Sequence, residues 1–158
     1  MRERGAAWDE QGEQGEQGRG LVVATGVFDL LHIGHLRFLE AARQLGDSLI
    51  VGVESDARVR RWKGPRRPIQ SEEDRSALLG ALKVVDRVFT ITGERTDPAF
   101  YVELLQPLRA RYLAVTADDP LLEVKREAMA AIGVELRVVI PRIENYSTTR
   151  LVELLGPL

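Results

Sequence analysis

The chain has 158 residues, a formal net charge of −2 and no cysteine. Its length predicts one domain, which can bury enough surface to fold without covalent or metal crosslinks. The near-neutral charge disfavours binding to the backbone of DNA or RNA. The missing cysteines exclude disulfides, thiolate metal sites and cysteine nucleophiles. Because no apolar run approaches a membrane helix and the charged N-terminus does not resemble a secretory signal, we expect a cytoplasmic protein with no membrane partner.

Residues 1–19 differ from the rest of the chain. A Gln-Gly-Glu unit repeats through residues 10–18 and offers no apolar face. Such a segment has nothing to bury, which predicts a disordered, low-complexity extension. Residues 20–158 are then the folded domain.

From residue 20 onward, short apolar runs alternate with longer amphipathic segments. The runs are short, β-branched and apolar at successive positions, which is typical of parallel strands buried on both faces. The predicted strands are residues 21–24, 49–53, 88–91, 112–115 and 136–140.

Capping signals place helices between these strands. We predict helices over 34–45, ended by Gly46, after Ser71, after the Asp97-Pro98 pair, over 121–132, ended by Gly133, and over 148–155, capped by Ser147. The alternation predicts an α/β fold, a Rossmann-like, doubly wound sheet of five parallel strands with flanking helices and right-handed crossovers. Ligands of such sheets bind at the carboxyl ends of the strands.

The first predicted strand leads directly into residues 25–35, TGVFDLLHIGH. His32 and His35 are the only histidines, and on a first helical turn their spacing places them on one face, which Gly34 leaves open. Imidazoles beside the free N–H groups of a helix start suit a polyphosphate whose oxygens gain charge during reaction. Either histidine alone is better explained by capping or packing. The pair, following a Gly-x-Phe-Asp turn, favours a phosphate site.

This segment resembles the HxGH signature of the cytidylyltransferase-like nucleotidyltransferases. The family includes glycerol-3-phosphate and ethanolamine-phosphate cytidylyltransferases, the heptose-1-phosphate adenylyltransferase domain and archaeal FAD synthetases. The resemblance covers about residues 20–156. It is closest to the heptose-phosphate adenylyltransferase in residues 49–57, LIVGVESDA, and 59–69, VRRWKGPRRPI, with further agreement at 73–75 and 85–86.

The resemblance implies a role for each matching residue. His32 and His35 would stabilise the α-phosphate during in-line attack, and Lys63 would reach the phosphates from a mobile loop. Asp29 would organise the turn or contact the acceptor. The nucleotide would be bound in this part of the chain by Thr25, Gly26, Phe28 and Gly34. From composition alone, Lys63 and its neighbours Arg66 and Arg67 are equally consistent with a solvated basic loop.

A second group of candidate residues lies in the segment YSTTR, residues 146–150. Hydroxyl and N–H groups at a helix start can hold the β- and γ-phosphates, although Ser147 alone is explained by helix capping. The family carries a similar Ser-Thr-Thr run, so the resemblance assigns Ser147, Thr148 and Thr149 to the nucleotide. Arg142 precedes Ser147 by five residues, as in the cytidylyltransferase motif Arg-Thr-x-Gly-(Ile/Val)-Ser-Thr-Thr, and is assigned to the nucleotide as well.

The chain departs from its relatives after the fourth predicted strand. Residues 115–119, VTADD, stand where the heptose enzymes carry Lys-Gly-Gly-Asp-Tyr, so the lysine and both glycines are absent. Asp118 and Asp119 resemble the Gly-Asp-Asp run of the cytidylyltransferases, which assigns Asp118 to the acceptor. A plain pair of acidic residues at a helix start remains the alternative. Residues 144–146, ENY, also replace the stretch that precedes Ser-Thr-Thr in the cytidylyltransferases.

The resemblance implies a nucleotidyltransferase that joins ATP or CTP to a sugar or polyol phosphate and releases pyrophosphate. Mg²⁺ would arrive on the nucleotide without a dedicated protein metal site, and a homodimer is expected by analogy. Residues 49–69 favour adenylyl transfer to a sugar phosphate, as in ADP-heptose synthesis. Arg142 and Asp118 favour a cytidylyltransferase acting on glycerol 3-phosphate or another alcohol phosphate.

Two further classes of protein are compatible with parts of the sequence. A catalytically silent nucleotide-binding regulatory module is supported only by the altered residues 115–117. A class I aminoacyl-tRNA synthetase fragment is disfavoured, because the chain is short and lacks a Lys-Met-Ser-Lys-Ser type loop.

Overall fold

The computed structural model describes residues 18–140 and 147–156. Within these ranges the strands are β1 (Leu21–Gly26), β2 (Ser48–Glu54), β3 (Arg87–Ile91), β4 (Tyr112–Thr116) and β5 (Glu135–Ile140). They form one five-stranded sheet in the order β3-β2-β1-β4-β5, and every neighbouring pair is parallel. This is the predicted Rossmann-like α/β fold. The chain reverses its direction of winding between β1 and β4, so their carboxyl ends flank the switch point at which such sheets bind ligands.

Helices flank both faces of the sheet. They are α1 (Ile33–Arg43), α2 (Asp56–Lys63), α3 (Glu72–Gly80), α4 (Pro98–Leu105), α5 (Leu122–Ile132) and α6 (Thr148–Leu155), with a short 3₁₀ turn at Gln106–Leu108. Two helices, rather than the single predicted one, connect β2 to β3. Helix α2 was not predicted, because it buries only Arg58 and Val59 and has no apolar stripe. Lys63 is its last residue, so the prediction that Lys63 lies on a loop is wrong, whereas its mobility stays a prediction.

The predicted helix starts are confirmed by their caps. Ser71, Asp97 and Ser147 each accept a hydrogen bond from the N–H three residues ahead, at 3.1, 3.0 and 3.1 Å. Gly133 ends α5 in the left-handed conformation with φ 71°. Gly46 has a different role from the predicted one, because α1 ends earlier, at Arg43. A Cβ on Gly46 would lie 2.2 Å from the carbonyl oxygen of Gly20, so glycine is required there for close packing.

The core occupies both faces of the sheet. Alternate residues of β1 separate it into two clusters: Val22 and Ala24 pack with α1 and α3, whereas Val23 packs with α4 and α5. The expectation that every strand is buried on both faces is wrong for β3 and β5. These are the edge strands, and each carries exposed residues along its length.

The predicted extension, residues 1–19, lies outside the described part of the chain up to residue 17. Arg19 already contacts the domain, donating a hydrogen bond of 3.2 Å to the carbonyl of Gln44 and lying 3.5 Å from the Asp47 carboxylate. Among the helices of the described ranges, none has both the length and the apolar character needed to cross a bilayer.

Candidate active site

A cavity of about 340 Å³ opens at the carboxyl ends of β1 and β4. Every site residue predicted from the sequence lines it, except Arg142, which lies outside the described residues. The predicted residues in the lining are Thr25, Gly26, Phe28, Asp29, His32, Gly34, His35, Lys63, Asp118, Ser147, Thr148 and Thr149. The lining also includes Glu54, Trp62 and Lys125, which the sequence analysis did not select.

The two histidines form a reciprocal cap at the start of α1. The Nδ1 atom of His32 accepts a hydrogen bond of 3.1 Å from the Gly34 N–H, and the Nδ1 atom of His35 accepts one of 3.4 Å from the His32 N–H. The imidazole rings are stacked, with centroids 3.8 Å apart and an interplanar angle of 24°. Since both Nδ1 atoms accept, each neutral ring carries its proton on Nε2. The pair therefore offers two adjacent N–H donors at the cavity.

Electrostatics keep these donors neutral. Burial is the main cause that lowers the pKa of His35 to about 3; the neighbouring His32 and Lys63 lower it further, against a smaller opposing effect of Asp29. Burial also lowers the pKa of His32. The ring of Phe28 packs edge-on against His35 at 5.4 Å between centroids. Near neutral pH both imidazoles are therefore neutral: each donates its Nε2–H but carries no second proton to release to a substrate.

The turn that precedes the histidines is held by Asp29. Its side chain is buried, and its carboxylate accepts hydrogen bonds from the N–H groups of Ile69 and Gln70 at 2.8 and 3.0 Å. Arg67 Nε adds an ion pair at 3.2 Å. Phe28 and Leu30, on either side of Asp29, adopt left-handed backbone angles of φ 53° and 47°. Such strain persists only where neighbouring contacts impose it, so Asp29 organises the turn, whereas its contact with the acceptor stays a prediction.

Gly26 is needed for the packing of this turn. A Cβ at this position would lie 3.0 Å from the nearest ring atom of Phe28. The aromatic ring is thus one group that approaches Gly26, and the contact of Gly26 with the nucleotide stays a prediction.

The start of α6 closes the same cavity. Ser147 caps the helix, and Thr148 Oγ1 donates a hydrogen bond to the carbonyl oxygen of Asp29. This bond joins the β1–α1 turn to a helix more than one hundred residues later in the chain. The free N–H groups and positive dipole ends of α1 and α6 therefore point to one cavity, an arrangement that favours an anionic ligand.

Lys63 brings a cation to the part of this cavity that the histidine pair lines. It ends α2 and lines the cavity beside the histidine pair. Burial lowers its pKa, and nearby Arg67 lowers it further, whereas Asp29 opposes the shift. An ammonium group desolvated in this way interacts more strongly with a phosphate than a solvated one does.

Lys125 is a buried cation that the sequence analysis missed. It lies on α5, is 4% exposed, and its Nζ donates hydrogen bonds to Thr25 Oγ1 at 3.0 Å and Asp119 Oδ2 at 2.6 Å. Asp119 Oδ1 also accepts from the N–H of Leu121 at 2.8 Å, in the turn that precedes α5. Asp118 lines the cavity. A lysine within an amphipathic helix is usually solvated, so nothing in the sequence marked Lys125.

A second buried ion pair, Glu54 with Arg58, lies beside Lys125. Burial raises the pKa of Glu54, whereas Arg58, and more weakly Lys125, oppose that shift. The guanidinium of Arg58 also donates to the carbonyls of Gly93 and Arg95 at 2.8 and 3.0 Å. Its central carbon lies 5.1 Å from the ring centroid of Trp62 and 4.8 Å from that of Phe100.

Arg75 joins several of the segments around the cavity through hydrogen bonds. It is fully buried, and its guanidinium donates to the carbonyls of Val27, Glu54 and Gln70 and to the Asp56 carboxylate at 2.6–3.0 Å. One side chain thereby fixes the β1–α1 turn, the end of β2 and the segment before α3 relative to one another.

The acidic residues around the cavity do not form a metal cage. In residues 18–140 and 147–156, no group of three or more His, Asp or Glu side chains could hold a metal ion. Asp29, Glu54 and Asp119 are instead each paired with a basic side chain.

The comparisons with known proteins agree with this architecture. A family model described as cytidylyltransferase-like matches residues 23–154. The bifunctional protein HldE of Trichlorobacter lovleyi is 40% identical over 138 residues, which are 87% of this chain and 27% of that protein. The bifunctional protein HldE of Magnetococcus marinus is 44% identical over 113 residues, 72% of this chain and 21% of that protein. The chain thus spans about a quarter of the length of these curated relatives.

Solved structures share the fold. The lipopolysaccharide core biosynthesis protein from Thermoplasma volcanium superposes with a TM-score of 0.62 and 31% identity, covering 80% of this chain and 98% of that one. Pantothenate synthetase from Thermus thermophilus has a TM-score of 0.56 at 19% identity over 79% of this chain and 57% of that one, a likeness of fold alone. The family match covers nearly the whole described domain, and the predicted site residues line one cavity of that domain. The chain belongs to the cytidylyltransferase-like family of nucleotidyltransferases.

Proposed function

We propose that this protein transfers a nucleoside monophosphate from a nucleoside triphosphate to the phosphate of a small phosphorylated acceptor, with release of pyrophosphate. One observation supports the proposal most strongly. Two neutral, stacked imidazoles with Nε2 donors line the same cavity as the N-terminal ends of α1 and α6. A triphosphate is the ligand that matches such a row of donors, because it presents negative oxygens along its length.

The reaction needs charge stabilisation more than proton transfer. An oxygen of the acceptor phosphate attacks the α-phosphorus in line, a new P–O bond forms, and the bond to the β-phosphate breaks as pyrophosphate leaves with its electron pair. The second pKa of a phosphate monoester is about 6, so the nucleophile is already anionic near pH 7. A general base is therefore unnecessary, in agreement with a pKa of about 3 for His35. His32 and His35 donate hydrogen bonds to the α-phosphate oxygens as these gain charge.

The leaving group is held by other parts of the cavity. The N–H groups and hydroxyls of Ser147, Thr148 and Thr149 bind the β- and γ-phosphates, and Lys63 adds a point charge. Mg²⁺ carried by the nucleotide supplies further charge neutralisation when bound. The paired state of Asp29, Glu54 and Asp119 is why we assign the ion to the nucleotide rather than to the protein.

The preferred substrates in this proposal are ATP and a sugar phosphate. Residues 49–69, which resemble the heptose-phosphate adenylyltransferase, form β2, α2 and the segment that places Lys63 and Asp29. A solved neighbour is named as a lipopolysaccharide core biosynthesis protein. The second candidate is CTP with glycerol 3-phosphate or another alcohol phosphate, and Asp118 at the cavity is the observation that favours it.

A substrate panel tests the proposal. The purified full chain would be incubated with ATP or CTP, with and without Mg²⁺, and with a series of sugar 1-phosphates and polyol phosphates, and pyrophosphate release would be measured. We expect release only with Mg²⁺ and fastest with ATP and a sugar phosphate. Preference for CTP and glycerol 3-phosphate would select the second candidate. Nucleotide binding in a thermal-shift assay without pyrophosphate release from any acceptor would instead indicate a silent regulatory module.

Two further expectations belong to the same proposal. The homodimer predicted by analogy is tested by sedimentation of the purified chain, and the cytoplasmic location by fractionation of the source cells. Neither of these expectations carries the assignment of the reaction.

A further inference from the structure

The cavity combines two chemically different groups of side chains. His32, His35 and Lys63, with the two helix starts, form a phosphate-binding side that is rich in N–H donors. The other group, which we call the paired-charge side, consists of Glu54, Trp62, Asp119 and Lys125. These two groups favour different ligands. The first suits the reacting phosphates, so the second is the candidate to contact the part of the acceptor that does not react.

Each charged group of the paired-charge side has a partner of opposite charge. Glu54 is paired with Arg58, which does not itself line the cavity, and Asp119 with Lys125. A region whose cation is already paired with a carboxylate does not favour a second phosphate. It does offer fixed carboxylate acceptors and an ammonium donor, and these hydrogen-bond alcohol hydroxyls in both directions.

Buried ion pairs of this kind are costly to retain for stability alone. Replacing such a pair with packed apolar side chains is often neutral or stabilising, yet Glu54 and Lys125 are only 3% and 4% exposed and both border the cavity. Lys125 has three N–H groups, and its hydrogen bonds to Thr25 and Asp119 use two of them. The third is the one that a ligand hydroxyl at the cavity would meet, and the Nζ also lies 5.6 Å from the ring centroid of Tyr101.

Trp62 adds a flat apolar surface next to these polar groups. Trp62 is 39% exposed, which is high for a tryptophan, and it lines the cavity. The guanidinium of Arg58, held by Glu54 and two backbone carbonyls, lies 5.1 Å from its ring centroid. Because its support is buried and fixed, the ring is already positioned before any ligand binds, which reduces the entropy cost of binding.

An aromatic surface beside a set of paired donors and acceptors matches a sugar ring. The C–H face of the ring packs on the aromatic plane, and the hydroxyls at its rim meet the polar groups. An open-chain alcohol phosphate has no such face. Resting on the proposed function, we propose that Trp62, Glu54 and Lys125 bind the polyhydroxylated ring of the acceptor and so select sugar phosphates over open-chain alcohol phosphates.

Trp62→Leu is the main test, because Trp62 is partly exposed and its loss leaves the buried ion pairs in place. Pyrophosphate release by the full chain would be measured with a hexose 1-phosphate and with glycerol 3-phosphate. We expect the KM for the sugar phosphate to rise about 10-fold, the upper range for one aromatic contact, with kcat and the nucleotide KM within about 2-fold. The matched control is Leu78→Ala, an equally exposed apolar residue on α3 that does not line the cavity, and it should change neither KM.

Fluorescence gives a readout that does not depend on turnover. The chain has two tryptophans, so Trp8→Phe leaves Trp62 as the only one. With a non-hydrolysable triphosphate present, titration with the sugar phosphate should change its emission saturably, and glycerol 3-phosphate at the same concentrations should not. A Lys125→Met variant of this protein should weaken the sugar-phosphate titration, and its circular dichroism reports whether the fold is retained.

The outcomes separate this inference from the proposed reaction. If wild type releases pyrophosphate but Trp62→Leu leaves the sugar-phosphate KM unchanged, or raises the nucleotide KM equally, the acceptor role is wrong and nucleotidyl transfer stands. If the wild type releases no pyrophosphate but the Trp62 emission saturates with sugar phosphate, the proposed reaction fails and the sugar subsite stands. If neither signal appears, both proposals are rejected.

Discussion

Two substitutions of His35 separate the roles of its two ring nitrogens. In the structure, Nδ1 accepts the N–H of His32 within the cap of α1, which leaves the protonated Nε2 to the cavity. Asparagine places an amide oxygen near the position of Nδ1 and has no atom near that of Nε2. Glutamine reaches the position of Nε2 with an N–H donor but gives up the acceptor at Nδ1.

The expected effects on rate and stability therefore run in opposite orders. Loss of one donor to a developing charge typically lowers kcat by about 100- to 1,000-fold, or about 2.7–4 kcal/mol, and His35→Asn should show that full loss. His35→Gln keeps an N–H donor, so its kcat should fall by only about 10-fold. Loss of the capping bond costs about 1 kcal/mol of unfolding free energy, and that cost should appear in His35→Gln and not in His35→Asn.

Pyrophosphate release at saturating substrates gives kcat, and urea unfolding followed by circular dichroism gives the free energy of unfolding. The comparison needs no knowledge of the absolute rate, because it depends on the order of the two variants. An Asn variant within a few-fold of wild-type turnover, or a Gln variant slower than the Asn variant, would show that His35 acts through packing and not through its Nε2 donor.

Three other predictions follow from the electrostatics and packing. Because burial lowers the pKa of Lys63, kcat/KM of the wild type should fall on the alkaline side at a pH below the usual pKa of lysine. Lys63→Arg stays charged beyond about pH 12, so it should lack that fall whatever its absolute rate. The pKa of His35 is about 3 in the folded chain and about 6.5 in the unfolded chain, so between these pH values only the unfolded chain binds the extra proton. The contribution of His35 to the free energy of unfolding is therefore present above pH 6.5 and falls by about 2 kcal/mol from about pH 7 to 5. In urea unfolding at these two pH values, His35→Asn should lose about 2 kcal/mol less than the wild type. Gly46→Ala places a Cβ 2.2 Å from the carbonyl oxygen of Gly20 and should lower the free energy of unfolding by about 2 kcal/mol or more. In the control variant Gly80→Ala the new Cβ would meet its nearest atom at 4.0 Å, so this variant should be neutral or slightly stabilising. Equal thermal midpoints for the two variants would contradict the packing argument.

The architecture could be predicted from the sequence because its signals are local. The strands β1, β2 and β4 are apolar at nearly every position, and the helix starts carry capping residues whose hydrogen bonds span only three residues. The edge strands β3 and β5 were located correctly, but their exposure was not predicted. Exposure depends on the order of strands in the sheet, and no single strand's sequence encodes that order.

Helix α2 shows where local signals fail. Its residues are mostly charged, and its buried side chains include Arg58, whose burial is balanced by Glu54 and by carbonyls from the segment after β3. Sequence patterns treat arginine as a solvated residue, so this helix gave no apolar stripe to detect. Lys125 was missed for the same reason, since its partners Thr25 and Asp119 come from other elements.

These misses are not distributed evenly over the cavity. The phosphate-binding side is built from backbone N–H groups at helix starts and from two histidines within one turn, so a short motif specifies most of its chemistry. The paired-charge side exists only when α2 and α5 have packed against the sheet and have brought Trp62 and Lys125 beside Glu54 of β2. A chain can therefore keep the motif for phosphoryl chemistry unchanged while substitutions on these helices alter the neighbouring surface. In this protein, the identity of the acceptor should depend on side chains that only the folded structure brings together, which is why the Trp62 and Lys125 variants are the informative ones for substrate choice.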